Sequence, residues 1–225
     1  MPVTRRTAAA YFLGLSQLLA ATGFAGEGAW QHYGGDPGGR HYSNAALIDR
    51  ANVADLEVAW VFRSGDSARL GAEMDKTSTQ STPLLLPAEA GASLVYCTPF
   101  SRIIALDPAS GEQRWSFDPG IDRRGDRPFR CRGVAYARHE RVGRDAHCRH
   151  RLYLATHDRR LWAIDARDGE PCDSFGEIGT VTLYGSEGLV PGEVSNSSPP
   201  VIAGDTVIVG STVIDFVRAQ TPRGT

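Results

Sequence analysis

The stretch Leu94-Val95-Tyr96-Cys97-Thr98 is followed by Arg102-Ile103-Ile104-Ala105-Leu106-Asp107 and then Ser110-Gly111-Glu112. Fifty-eight residues later it returns as Leu152-Tyr153-Leu154-Ala155-Thr156, Arg160-Leu161-Trp162-Ala163-Ile164-Asp165 and Asp168-Gly169-Glu170. The register holds without a gap. Self-similarity at a fixed period is the signature of a repeat architecture. Each copy reads strand, tight turn, strand, Asp-x-x-x-Gly turn, strand. The glycine supplies a positive φ in the turn, and the aspartate can accept bonds from its own turn backbone.

Working outward, Arg114-Trp115-Ser116-Phe117 supplies a further strand in the first copy. In the second copy the Trp115 position is Asp173, and the repeat has decayed there. Ser81-Thr82-Pro83-Leu84-Leu85-Leu86 matches Ser198-Pro199-Pro200-Val201-Ile202, with Pro83 and Pro200 lying 117 residues apart. Asp205-Thr206-Val207-Ile208-Val209-Gly210 adds another turn and strand, so a third unit begins before Thr225. Four-stranded antiparallel units in series predict an all-β chain built as a β-propeller. The spacing exceeds the roughly 40–45 residues of a WD repeat. Residues 121–151 hold ten arginines against four acids and interrupt the second unit. They read as a solvated surface loop in preference to a specific anion site.

Composition narrows the function classes. Hydrophobic residues make up 41% of the 225-residue chain, enough for a core. Acids outnumber bases 26 to 24, so no global basic field exists to hold nucleic acid. Lys76 is the one lysine, and every other base is arginine. Arg5 and Arg6 precede an apolar run from Ala8 to Ala21, and Gly23-Phe24-Ala25 offers a small-residue cleavage site. This order predicts a secretory signal over residues 1–25 and a periplasmic location, with a retained membrane anchor as the competing reading. Export makes disulfides available to Cys97, Cys131, Cys148 and Cys172. Cys131 and Cys148 bracket a polar loop and are the favoured pair, which leaves Cys97 and Cys172 as buried thiols. The alternative is a zinc site drawn from Cys131, His139, His147, Cys148 and His150, although a tight C-x2-C knuckle is lacking.

Trp30-Gln31-His32-Tyr33-Gly34-Gly35-Asp36 and Gly39-Arg40-His41-Tyr42-Ser43 form a distinctive pair of motifs. Asn52-Val53-Ala54-Asp55-Leu56, Ala59-Trp60-Val61-Phe62-Arg63-Ser64-Gly65-Asp66 and Cys131-Arg132-Gly133-Val134-Ala135-Tyr136 follow in order. Together they resemble the pyrroloquinoline-quinone (PQQ) dependent dehydrogenases, in the branch of the membrane-type glucose and quinate enzymes. The resemblance implies an eight-bladed propeller with PQQ on its axis beside a divalent cation, Ca²⁺ or Mg²⁺. It implies oxidation of an alcohol or sugar hydroxyl, with electrons leaving to a quinone or cytochrome. Family chains run to several hundred residues, so this one corresponds to an N-terminal part. Residues 26–79 would form an N-terminal lead-in segment, and residues 80–225 would hold two blades and the start of a third.

The resemblance also assigns residues. Gln80 stands where relatives hold Glu or Gln against PQQ. Arg132 matches the arginine of an Arg-Gly motif that contacts the cofactor's oxygens. Ser197 and Thr212 match hydroxyl positions, and Asp215 matches an acidic metal ligand suited to a hard cation. The family's catalytic aspartate falls in a later blade, so no residue here takes that role. Three departures stand out. Phe216 replaces a common Asn, Ala137 replaces a His, and the adjacent Cys-Cys pair of the methanol and ethanol enzymes is missing. The last departure favours a sugar, polyol or cyclic hydroxy acid as substrate. The expected protein is periplasmic, free or peripherally associated with the membrane, and has no nucleic-acid partner. The competing classes are a non-catalytic propeller scaffold of the outer-membrane assembly kind and a carbohydrate-binding propeller.

Overall fold

Both copies of the repeat fold into four-stranded antiparallel sheets in the computed structural model, which describes residues 30–124, 128–183 and 193–213. The signal expected over residues 1–25 lies outside these residues, as does Asp215. A short strand, β1 (Thr77–Thr79), leads into the first unit. That unit comprises β2 (Leu84–Leu85), β3 (Leu94–Cys97), β4 (Ile103–Leu106) and β5 (Gln113–Phe117), paired in sequence order. Strand β6 (Phe129–Cys131) then runs parallel to β1. The second unit follows as β7 (Ala135–Arg138), β8 (His150–Ala155), β9 (Arg160–Asp165) and β10 (Thr180–Thr182). Strand β11 (Val194–Ser195) pairs with β14 (Thr212–Val213), and between them β12 (Val201–Ala203) and β13 (Thr206–Ile208) make the hairpin of the third unit. No helix among the described residues is long and apolar enough to cross a membrane.

The repeat extends to backbone detail. Thr98 N–H donates to Arg102 O at 2.8 Å, and Thr156 N–H donates to Arg160 O at 2.8 Å. Ser101 and Arg159 occupy the same left-handed turn position, at φ 64° and 70°. Gly111 N–H donates to Asp107 O and Gly169 N–H to Asp165 O, both at 2.9 Å. Asp107 Oδ1 accepts the Ala109 and Ser110 amides, and Asp165 Oδ1 accepts the Arg167 amide.

All six residues of β8 are buried, so this strand is covered on both faces. Alternate side chains of a strand point to opposite sides. Leu152 and Leu154 join Val95, Ile103 and Val134 in the core between the first and second units. Tyr153 and Ala155 join Leu161 and Ala163 in a second core that meets Ile202 and Val207 of the third unit. Burying each of the larger aliphatic side chains contributes about 1.5–3 kcal/mol. The units therefore stabilise one another face to face, as stacked repeats do. Burial also alternates from Trp60 to Asp66, with Trp60, Phe62 and Ser64 turned in and Val61, Arg63 and Gly65 out. This is the two-residue period of a strand, although no ladder partner stands beside it among the described residues.

Three expectations are corrected. The arginine-rich segment 121–151 is only partly loop, because Phe129–Cys131 and Ala135–Arg138 are strands. Phe129, Cys131, Val134 and Tyr136 are buried, while Arg138 pairs with Glu140 outside. The fourth strand of the second unit lies at Thr180–Thr182, opposite Trp162 to Arg160, so Asp173 is not its counterpart to Trp115. The disulfides join Cys97 to Cys131 and Cys148 to Cys172, so Cys131 and Cys148 are not partners. Cys131 ends β6 beside the end of β3, 6.0 Å from Cys97 between Cα atoms. Cys148 precedes β8 and faces Cys172, just past β9, at 5.7 Å. Both separations suit a bridge. Closeness in sequence misleads here because β7 carries the chain away between Cys131 and Cys148.

The same pairing removes the zinc alternative, since no free thiol exists among the four cysteines. His139 bonds the Tyr153 hydroxyl at 2.9 Å and His150 the Tyr136 hydroxyl at 2.8 Å. Burial lowers the pKa of both imidazoles and favours their neutral forms. His147, Cys148 and Asp165 do converge, but the Cys148 sulfur is committed to its bridge.

Asp165 carries much of the second turn. Burial alone would raise its pKa, but the Arg167 side chain and the Arg167 and Cys148 amides hold it below the ordinary carboxylate range. The Cys148 amide reaches Oδ2 at 2.6 Å and the Arg167 guanidinium at 2.9 Å. Asp165→Asn is expected to cost about 1–3 kcal/mol near neutral pH, because a charged acceptor for buried donors is lost. A depressed carboxylate stabilises the fold above its unfolded value of about 3.9, and the effect fades as pH falls through the folded value. The gap between wild type and variant, read from urea midpoints, should therefore narrow as pH drops from about 7 towards about 2. A gap that ignores pH would refute this role.

Candidate functional site

The starts of the three units lie side by side and are hydrogen-bonded to one another. Thr82 N–H, before the first unit, donates to Arg132 O at 2.9 Å. Arg132 N–H, before the second, donates to Ser197 O at 2.8 Å, before the third. The parallel pair β1 and β6 sets the register, with Thr79 opposite Cys131. Residues directly after a paired position leave the ladder as neighbours, and here they are Gln80 and Arg132.

Their side chains meet. Arg132 Nε donates to Gln80 Oε1 at 3.1 Å, and Arg132 Nη1 donates to Ser198 Oγ at 3.3 Å. Both partners are neutral, and among the described residues no carboxylate lies within ion-pairing distance of Arg132. A half-buried guanidinium held by neutral groups keeps its charge for an anion. The Trp30–Asp36 turn folds onto the same hub. Leu85 N–H donates to Trp30 O at 2.9 Å. A Cβ placed on Gly133 would stand 3.5 Å from the Tyr33 ring.

Of the residues singled out from sequence, Gln80, Arg132 and Ser197 are thus brought together, Ser197 through its carbonyl. The hydroxyl that reaches Arg132 belongs to Ser198, which the sequence reading missed. The Ser-x-Pro match of Ser198 to Ser81 offered a signal for it. Thr212 lies opposite Ser195 across the β11–β14 pair and is exposed. Buried Asn196, also missed, donates Nδ2 to Gly210 O at 2.7 Å and ties the link between β13 and β14, just before Thr212, to the hub.

A depression of about 280 Å³ lies outside this hub and is lined by Asp66, Arg69, Phe100, Arg102, Asp118 and Arg123, among others. Each of its arginines already faces an acid. Arg102 meets Asp66 at 2.7 Å, Arg69 meets Asp118 at 3.1 Å and Arg123 meets Glu73 at 3.3 Å. With its charges balanced, this depression offers less to an anion than the Arg132 hub.

Comparison with known proteins places the chain in a family of β-propellers. Residues 30–225 match the family described as PQQ: glucose/ethanol/alcohol dehydrogenase, beta-propeller domain. The chain is 35% identical over 216 residues to quinate/shikimate dehydrogenase (quinone) of Acinetobacter baylyi, covering 87% of this chain and 25% of that protein. It is 31% identical over 213 residues to quinoprotein glucose dehydrogenase A of Acinetobacter calcoaceticus, covering 88% and 26%. It is 34% identical over 200 residues to the glycerol dehydrogenase large subunit of Gluconobacter thailandicus, covering 88% and 26%. The chain thus spans about a quarter of the length of these relatives. Among solved structures, quinohemoprotein alcohol dehydrogenase from Comamonas testosteroni superposes with a TM-score of 0.59 at 24% identity. It covers 82% of this chain and 23% of that one, and the likeness speaks for the fold.

Proposed function

Because the chain belongs to the PQQ glucose/ethanol/alcohol dehydrogenase β-propeller family, we propose that it forms one side of the cofactor pocket of a PQQ-dependent dehydrogenase. The observation that carries this reading is Arg132, a guanidinium set among neutral partners where three units converge. PQQ bears three carboxylates and an ortho-quinone, so a pocket of arginine, amide and hydroxyl groups fits it. When bound, PQQ supplies the two-electron oxidation of a hydroxyl to a carbonyl.

The chain's own residues would bind and orient. Arg132 would pair with a cofactor oxygen and hold negative charge there. Gln80 would keep the guanidinium aimed while offering its amide N–H. Ser197 and Thr212 would supply hydroxyls from the third unit. Asp215 would hold a divalent cation, Ca²⁺ or Mg²⁺, as a hard carboxylate ligand. The substrate we propose is a sugar, polyol or cyclic hydroxy acid, a range supported by the glucose, quinate and glycerol enzymes among the relatives. The electron acceptor would be a quinone or cytochrome. Residues 1–25 would direct export to the periplasm, residues 26–79 would lead in, and residues 80–225 would belong to the propeller. The exported protein would be free or peripherally bound to the membrane.

The test uses the full-length product of the gene, expressed with its own N-terminus. Fractionation locates it. The periplasmic extract is reconstituted with PQQ and Ca²⁺, and dye reduction is followed with glucose, glycerol, quinate and simple alcohols. PQQ-dependent turnover on one of the first three is expected. A folded protein that binds no PQQ would overturn the reading in favour of a non-catalytic scaffold.

A further inference from the structure

On that reading, we propose that the Cys97–Cys131 disulfide is a positioning element of the cofactor pocket, which holds Arg132 and Gln80 in the geometry that receives an anion. The bridge joins two parts of the molecule that the chain itself leaves 34 residues apart. Cys97 ends β3, the second strand of the first unit, and is fully buried. Cys131 ends β6 and is 2% exposed, and its next residue is Arg132. Thr79, opposite Cys131 in the β1–β6 ladder, is followed by Gln80. The covalent link therefore enters the hub one residue before the guanidinium and one residue diagonally from the amide that holds it.

Ser81 closes the same fastening from the other side. Its hydroxyl accepts the Cys97 amide at 3.2 Å, so the residue after Gln80 is tied to the residue that carries the bridge. Three segments are fixed at one point: the end of β3, the Gln80-Ser81 step and the Cys131-Arg132 step. The β1–β6 pair has three rungs, and among the described residues its two strands belong to no larger sheet. An isolated two-stranded pair is marginal by itself. The bridge supplies what the short ladder lacks, and an arginine held in place before binding loses less freedom when the ligand arrives.

The Cys148–Cys172 bridge is the internal control. It lies at the opposite end of the strands, beside the Asp165 turn, and touches neither Gln80 nor Arg132. Two double variants of the full-length protein are compared, Cys97→Ala with Cys131→Ala and Cys148→Ala with Cys172→Ala. PQQ affinity is measured by titration of the cofactor-free protein, alongside thermal unfolding. Modification of Arg132 by the arginine reagent phenylglyoxal, mapped by mass spectrometry, reports the guanidinium directly and needs no cofactor.

Removing the first bridge should weaken PQQ about tenfold relative to removing the second, at comparable loss of thermal stability. It should also speed Arg132 modification several-fold. If both bridges lower stability alike while PQQ affinity and Arg132 reactivity stay unchanged, the bridge is a plain staple and the proposal falls. Should the first variant not fold, Ser81→Ala is read instead, with the same two shifts expected in smaller measure and restored by Ser81→Thr. If wild-type protein binds no PQQ, the dehydrogenase reading fails by itself. Arg132 reactivity then decides the positioning role alone, with an unchanged rate overturning it.

Discussion

Arg132→Ala is expected to weaken PQQ binding by about 10–100-fold or more while leaving the thermal midpoint nearly unchanged. A hydrogen bond to a charged partner is worth about 1.5–3 kcal/mol, and the guanidinium can offer more than one. The fold should survive, because Arg132 joins the three units through its backbone amide and carbonyl, which alanine retains. Arg132→Lys should recover only part of the affinity. A lysine ammonium is a point charge and cannot reach Gln80, Ser198 and an anion with one planar fork. Gln80→Ala should cost less, since it loosens the guanidinium without removing the charge. Cofactor titration of the folded, cofactor-free variants decides the matter. An affinity unchanged in Arg132→Ala would remove the central residue from the pocket.

The largest loss of stability is expected at Trp115. Its ring packs against the core shared by the first and second units and lies flat over the Asp165–Gly169 turn. A Cβ added to Gly169 would stand 2.6 Å from Trp115 Cε3, and Gly169 has φ 80°. The first unit repeats this contact. A Cβ on Gly111 would stand 2.5 Å from Trp60 Cδ2, and Trp60 Nε1 donates to Pro108 O at 3.2 Å. Each tryptophan thus seats on the turn glycine of the following unit and transmits stability along the series. Trp115→Ala is expected to cost about 3–5 kcal/mol, a large share of the roughly 5–15 kcal/mol that holds a domain together. Gly169→Val should fail in a similar way, by collision with the ring and by the left-handed backbone. Trp115→Phe should be milder, because the buried indole N–H has no acceptor among the described residues and its loss costs little. Urea unfolding would measure all three. A loss below about 1 kcal/mol in Trp115→Ala would contradict the docking account.

Much of this was legible in the residues, and the parts that were not share one cause. The period of 58 residues reported both central strands, both turns and the glycines on which the tryptophans sit. Those features depend on contacts local to a hairpin, where backbone turn chemistry and alternation act within a few residues. Gln80 and Arg132 were found through motifs, 52 positions apart, without any sign that they touch. The arginine-rich segment hid two strands, since the charge of its arginines masks the apolar alternation of Phe129, Cys131, Val134 and Tyr136.

Residue order alone therefore set the repeat, the central strand pair of each of the first two units, their turn residues and the family motifs. Only the tertiary structure decided which cysteines bond, that Ser198 and not the Ser197 hydroxyl reaches Arg132, and that Trp60 and Trp115 do the same work. Each of these depends on distance between segments far apart in the chain. Residue order constrains neighbours within a turn or ladder, whereas the faces that two units present to each other are set by packing the whole.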